Sequence, residues 1–115
     1  MATTRTPDGA TIDHVTIGDG PPLVLVHGIT ENRAAWGGLA AAFAAEGYTV
    51  TALDLRGHGT SSRTAPYDLA TMAGDVGAVL ADLGAPDALL VGHSLGGAVV
   101  TAYAAAGPCR AVVNV

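Results

Sequence analysis

Short apolar runs and helical stripes alternate along this chain almost without a break. Ala10–Ile17 alternates, with Ile12, His14 and Thr16 opposed by Asp13, Val15 and Ile17, and reads as a strand. Gly18–Pro22 (GDGPP) is a turn, and Leu23–Val26 is a compact apolar run, the pattern of a strand buried on both faces. Over Glu31–Glu46, the residues Trp36, Leu39, Ala40 and Phe43 recur at helical spacing, which predicts a helix closed by Gly47. Tyr48–Leu55, β-branched and apolar, predicts the next strand, and Arg56–Pro66 (RGHGTSSRTAP) a polar loop. Asp68 can cap a helix whose buried stripe is Leu69, Met72, Ala73, Val76, Leu80 and Leu83, ended by Gly84. Ala88–Val91 predicts a strand. Leu95, Val99, Ala102, Tyr103 and Ala106 form a helical stripe that stops at Gly107-Pro108, and Ala111–Val115 (AVVNV) is the last strand.

From Leu23 onward the order is β-α-β-α-β-α-β. Such alternation predicts one α/β domain over residues 1–115, a mostly parallel sheet flanked by helices. Ligands in such sheets bind beyond the carboxyl ends of the strands. Those ends are His27-Gly28, Asp54-Leu55-Arg56 and Gly92-His93-Ser94.

Composition narrows the function classes. Half of the 115 residues are apolar and only 4% are aromatic, so the core must rely on small side chains and close backbone approach. The net charge is −5, there is no lysine, and Arg5, Arg33, Arg56, Arg63 and Arg110 are scattered. A nucleic-acid groove needs clustered positive charge, so no nucleic-acid partner is expected. The single cysteine, Cys109, has no internal partner, which fits a reducing compartment. The first residues hold no apolar leader, and the longest uncharged stretch, Ser94–Cys109, is too short and too interrupted to span a bilayer. The expectation is a cytoplasmic protein without a membrane partner. The histidines lack metal-ligand spacing and there is no C-x-x-C, so neither metal nor other cofactor is expected. A Walker phosphate loop needs the lysine this chain lacks. Gly57-His58-Gly59 lacks the third glycine of a dinucleotide fingerprint, which leaves a nucleotide-binding module as an alternative on fold grounds alone.

The stretch LLVGHSLGGAVV, Leu89–Val100, carries the candidate chemistry. A strand that turns at once into a helix passes through a strained turn, where side chains two residues before and after the apex would collide. Gly92 and Gly96 remove those side chains around Ser94, and Gly97 lets the helix lie close to the sheet. Ser94 is thereby presented at a helix N-terminus, where backbone N–H groups favour developing negative charge. The Leu95 N–H is placed to donate to an oxyanion. VLVHGIT, Val24–Thr30, follows a buried strand and can offer a second amide, that of Ile29. DLRGHGTSS, Asp54–Ser62, ends the next strand.

In their order and spacing, GHSLGG, VLVHGIT and DLRGHGTSS resemble the N-terminal half of an α/β-hydrolase, and TPDGATIDHVTIGDGPP resembles the first hairpin strands of that family. The resemblance implies Ser94 as nucleophile and Ile29 and Leu95 as oxyanion amides. It places His27, Gly28, Gly92, His93 and Gly96 around the site, with Asp54, Arg56, Gly57, His58 and Gly59 shaping its rim. It also implies that the sheet ends at the sixth of eight strands, with the catalytic acid, the histidine base and the cap beyond Val115. Read by themselves, His14, His27, His58 and His93 are structural or hydrogen-bonding residues rather than the base, Cys109 is an inert thiol, and Asp54 stands at a strand end where a catalytic acid could be, though the resemblance implies that it organises the loop below the oxyanion hole. Three accounts stay open: a piece of a longer serine hydrolase, a chain complemented by a C-terminal partner or self-associating through the Ala111–Val115 edge, and a non-catalytic module that binds a small molecule. The apolar edge of Val112, Val113 and Val115, with no helix to cover it, favours the first. The expected reaction is acyl transfer from an ester, thioester, lactone or amide, and the motifs also leave room for C–C bond hydrolysis and cofactor-free haloperoxidation.

Overall fold

The computed structural model describes residues 1–115. The elements are β1 (Ala2–Arg5), β2 (Thr11–Ile17), β3 (Pro22–Val26), a 3-10 turn (Arg33–Trp36), α1 (Gly37–Ala45), β4 (Thr49–Leu53), α2 (Leu69–Leu83), β5 (Leu89–Gly92), α3 (Leu95–Ala106) and β6 (Ala111–Asn114). They build one six-stranded sheet in the order β1-β2-β4-β3-β5-β6. β1 and β2 form an antiparallel hairpin, β2 pairs antiparallel with β4, and β4, β3, β5 and β6 run parallel. The alternation from Leu23 onward therefore produces the parallel part of the sheet.

Period-two alternation divides the central strands between two apolar layers. Val24, Val26, Leu53 and Leu90 pack with Met72, Val76, Val79 and Leu80 of α2 and Val99 and Val100 of α3. Leu23, Leu25, Val50, Ala52 and Val91 pack on the other face with Trp36 and Ala40. Because β3 is continued by β4 on one side and by β5 on the other, the strand order reverses at β3. The carboxyl ends of β3 and β5 therefore open into the crevice where ligands gather in this architecture.

Three details depart from the pattern. β1 was not separable by periodicity, since of its four residues only Thr4 is buried. The helix expected over Glu31–Glu46 starts later. The Asn32 side chain accepts the Ala34 N–H, and a 3-10 turn precedes α1. Leu39, one residue or about 100° from Ala40, falls off the buried stripe and is exposed. α2 begins as expected, with the Asp68 carboxylate accepting the Thr71 N–H at 2.7 Å, and stops at Gly84 in the left-handed region. Its stripe leaves Leu69 exposed but includes Val79 and, unexpectedly, Asp75. No helix is long and apolar enough to cross a membrane.

Candidate active site

β5 passes into α3 through His93 and Ser94 alone. Ser94 is exposed, with φ 57° and ψ −116°, a backbone conformation that costs a non-glycine residue of order 1–3 kcal/mol. The surroundings hold it there. His93 N–H donates to the Val26 carbonyl at 3.1 Å, Gly96 N–H to the His93 carbonyl at 2.9 Å and Val115 N–H to the Gly92 carbonyl at 2.8 Å. A Cβ on Gly92 would run into the Gly96 carbonyl, and one on Gly96 into the carbonyls of Val26 and His27. Glycine adopts φ 57° freely, so Ser94→Gly is expected to stabilise the chain by about 1 kcal/mol after glycine's own entropy cost, read as a raised urea midpoint. A lowered midpoint would mean that the turn stores no strain.

The loop after β3 faces this turn. His27 is fully buried, and its Nε2 accepts the Leu55 N–H at 3.0 Å. Its Nδ1 therefore carries the proton and donates to the Gly28 carbonyl at 2.7 Å. Burial lowers its pKa and keeps the ring neutral. With both ring nitrogens engaged, His27 cannot collect a proton from Ser94. The Gly28 N–H donates to Glu31 Oε1 at 2.8 Å, and the Glu31 N–H to the Gly28 carbonyl at 3.2 Å. Ile29 is exposed between them, and neither its N–H nor that of Leu95 has a partner in the protein. These are the two amides the sequence singles out. The Ser94 hydroxyl likewise makes no hydrogen bond.

The other histidines are engaged elsewhere. His14 Nε2 meets Thr4 Oγ1 at 3.0 Å in the hairpin, and burial lowers its pKa. His58 Nδ1 donates to the Arg56 carbonyl at 3.1 Å, and its ring stands 5.0 Å from that of His27. His93 points its Nδ1 at Glu31 Oε1, 3.2 Å away, and is exposed rather than packed.

The rim differs from expectation. Gly59 is exposed and Gly57 and His58 are half-buried, but His27, Asp54 and Arg56 lie buried beneath them. The Asp54 carboxylate is taken up by the Arg33 N–H and guanidinium and by the Thr60 N–H, with Gly59 against it because a Cβ there would strike the carboxylate. Arg56 is paired with Asp75 through Nε and Nη2 at 2.6 and 2.7 Å and with Asp8 at 2.9 and 3.2 Å, and it donates to the Thr64 carbonyl at 3.1 Å. The Arg56 guanidinium holds the Asp8 carboxyl far below the usual carboxylate range, with help from the Thr6 hydroxyl. Both buried groups support the loop that carries His58 rather than touching the crevice. Sequence reading missed Glu31, Asp75 and Asp8. For Asp75 a signal was present: a charge inside the apolar stripe of α2.

The surface around Ser94 is open. The concavities of the chain lie at the opposite strand ends, beside Tyr48 and Arg110, between α2 and α3, against Ala73 and Tyr103, and beside Asp8, Arg56 and Asp75.

A mostly parallel sheet with helices on both faces and an exposed, strained serine at a strand-to-helix turn is the architecture the sequence pattern pointed to. Residues 21–115 match the family model for the alpha/beta hydrolase fold. The chain belongs to the α/β-hydrolase family. Among curated relatives, it is 39% identical over 101 residues to epoxide hydrolase B of Mycobacterium tuberculosis, covering 84% of this chain and 28% of that protein. It is 39% identical over 104 residues to a non-heme chloroperoxidase of Kitasatospora aureofaciens, covering 90% and 37%. An esterase structure from Exiguobacterium antarcticum superposes with a TM-score of 0.90 at 29% identity, over 98% of this chain and 44% of that one. The chain spans between 26% and 39% of the lengths of the curated relatives it matches.

Proposed function

We propose that Ser94 is the nucleophile of a serine hydrolase that transfers acyl groups from an ester, thioester, lactone or amide, and that this chain supplies the nucleophile and oxyanion donors only. The observation that carries the reading is the strained, exposed Ser94 with a free hydroxyl, followed by the partnerless Leu95 amide and set next to His93, to which Glu31 ties the loop bearing the partnerless Ile29 amide. Ser94 Oγ attacks the carbonyl carbon, the Ile29 and Leu95 N–H groups receive the charge on oxygen, and the leaving group departs. Water then attacks the acyl-serine, releases the acid and restores the hydroxyl.

The names of the relatives span ester and epoxide substrates, and the side chain at the apex distinguishes them chemically. A serine that opened an epoxide would become an ether, which water does not cleave, and the enzyme would stop after one turnover. A serine acylated by an ester gives a new ester, which water does cleave. Ser94 therefore favours acyl substrates.

The proton of Ser94 needs an acceptor. His27 has both nitrogens occupied, and His14, His58 and His93 bond elsewhere. A histidine and its carboxylate from outside residues 1–115 complete the triad in this reading. The test is reassembly. The chain alone should hydrolyse a p-nitrophenyl ester near background. Adding a polypeptide that supplies the remaining strands, acid and histidine should restore a rate that Ser94→Ala abolishes. Fast turnover by the chain alone that requires Ser94 would overturn the assignment of the base. A restored rate that survives Ser94→Ala would overturn the nucleophile.

A further inference from the structure

We propose that Glu31 is a positioning residue: one carboxylate oxygen, Oε1, clasps the Gly28 N–H and the His93 imidazole together, and so fixes the loop bearing the Ile29 amide to the turn bearing Ser94. The catalytic purpose of this clasp rests on Ser94 being the nucleophile. The geometry of the clasp does not.

Glu31 grips Gly28 twice, its side chain accepting at 2.8 Å from the Gly28 N–H and its own N–H donating at 3.2 Å to the Gly28 carbonyl. Thr30, held at φ 64°, makes the reversal that brings the side chain back; Ser94 is the other non-glycine residue of the chain with positive φ. Two strained residues thus flank one carboxylate. A Cβ on Gly28 would sit 2.7 Å from Glu31 Oε1 and 3.1 Å from His93 Nδ1, so a side chain there would push the two partners of the clasp aside. The clasp also removes the Gly28 amide from use, so that the Ile29 amide beside it is left free for an oxyanion. The titratable groups facing Glu31 are His93 across the crevice and His27 beneath the loop. The Gly28 N–H, then the His93 bond, holds the Glu31 carboxyl below its ordinary value, so the acceptor stays ionised at neutral pH.

The test is NMR of the full chain labelled with nitrogen-15. The Gly28 amide should shift in a titration whose midpoint lies below that of an ordinary glutamate. Glu31→Gln keeps an acceptor without the charge, so the titration should vanish while Gly28 remains protected from exchange. Glu31→Ala removes the acceptor, and Gly28 exchange should rise roughly 10-fold or more. In the reassembled enzyme, Glu31→Ala should lower kcat by up to roughly 10²-fold with KM little changed, and Glu31→Gln should recover most of the loss. A Gly28 amide that ignores Glu31, or a loss confined to KM, overturns the proposal. Ester turnover that survives Ser94→Ala overturns the nucleophile reading and the catalytic purpose of the clasp, whereas the Gly28 titration reports on the clasp alone.

Discussion

In the enzyme reassembled around this chain, Ser94→Ala is expected to lower ester turnover by about 10⁶-fold, close to the loss from removing the whole triad. The size follows from the mechanism proposed for Ser94. Without Oγ no acyl-enzyme forms, and the base has nothing to deprotonate but water. What survives is the contribution of the oxyanion amides and of binding, roughly 10³–10⁴ over water. Ile29 and Leu95 donate through the backbone, so the substitution leaves them in place. The measurement is kcat for a p-nitrophenyl ester against the unvaried enzyme. A loss of only tenfold would mean that another nucleophile, or water activated directly, carries the reaction.

Asp75→Asn is expected to destabilise the chain by about 3–5 kcal/mol, the usual cost of breaking a buried ion pair from one side. Arg56 and Asp75 have side chains only 1% and 3% exposed, and they meet in two parallel hydrogen bonds. Removing the charge of Asp75 leaves a desolvated guanidinium whose remaining carboxylate partner, Asp8, is 42% exposed and shared with water. A domain of this size has about 5–15 kcal/mol in total, so urea unfolding followed by circular dichroism should show a midpoint greatly reduced. The double replacement Arg56→Met with Asp75→Leu should recover much of the loss, because it removes both charges at once. If Asp75→Asn unfolds like the parent chain, the pair contributes no net stability.

The parallel sheet was legible in the sequence because burial on both faces writes itself as continuous apolar runs, as in Leu23–Val26 and Leu89–Val91. β1 was not, because Ala2–Arg5 takes its register from β2 rather than from any pattern of its own. The apex at Ser94 could be found because its steric requirement falls on glycines two residues away, within one short window. Glu31 could not, since the ring it meets is 62 positions along the chain. The roles of Asp54 and Arg56 were half legible: their place at a strand end was visible, but their burial depended on Arg33, Thr60, Asp8 and Asp75, which no local spacing announces.

The backbone at position 94 is shaped by its neighbours: by the missing side chains of Gly92 and Gly96, by the carbonyls of Val26 and His27 packed against Gly96, and by the start of α3. Nothing in that arrangement depends on the hydroxyl, which bonds to no other group. The turn is therefore a mount, indifferent to what it carries, and any side chain of similar size placed there would be delivered to the same point at the start of α3. A change of one residue at the apex would alter the bond being made without disturbing the scaffold beneath it. A frame with that separation of duties fits a fold shared by proteins named for esters, epoxides and chlorination.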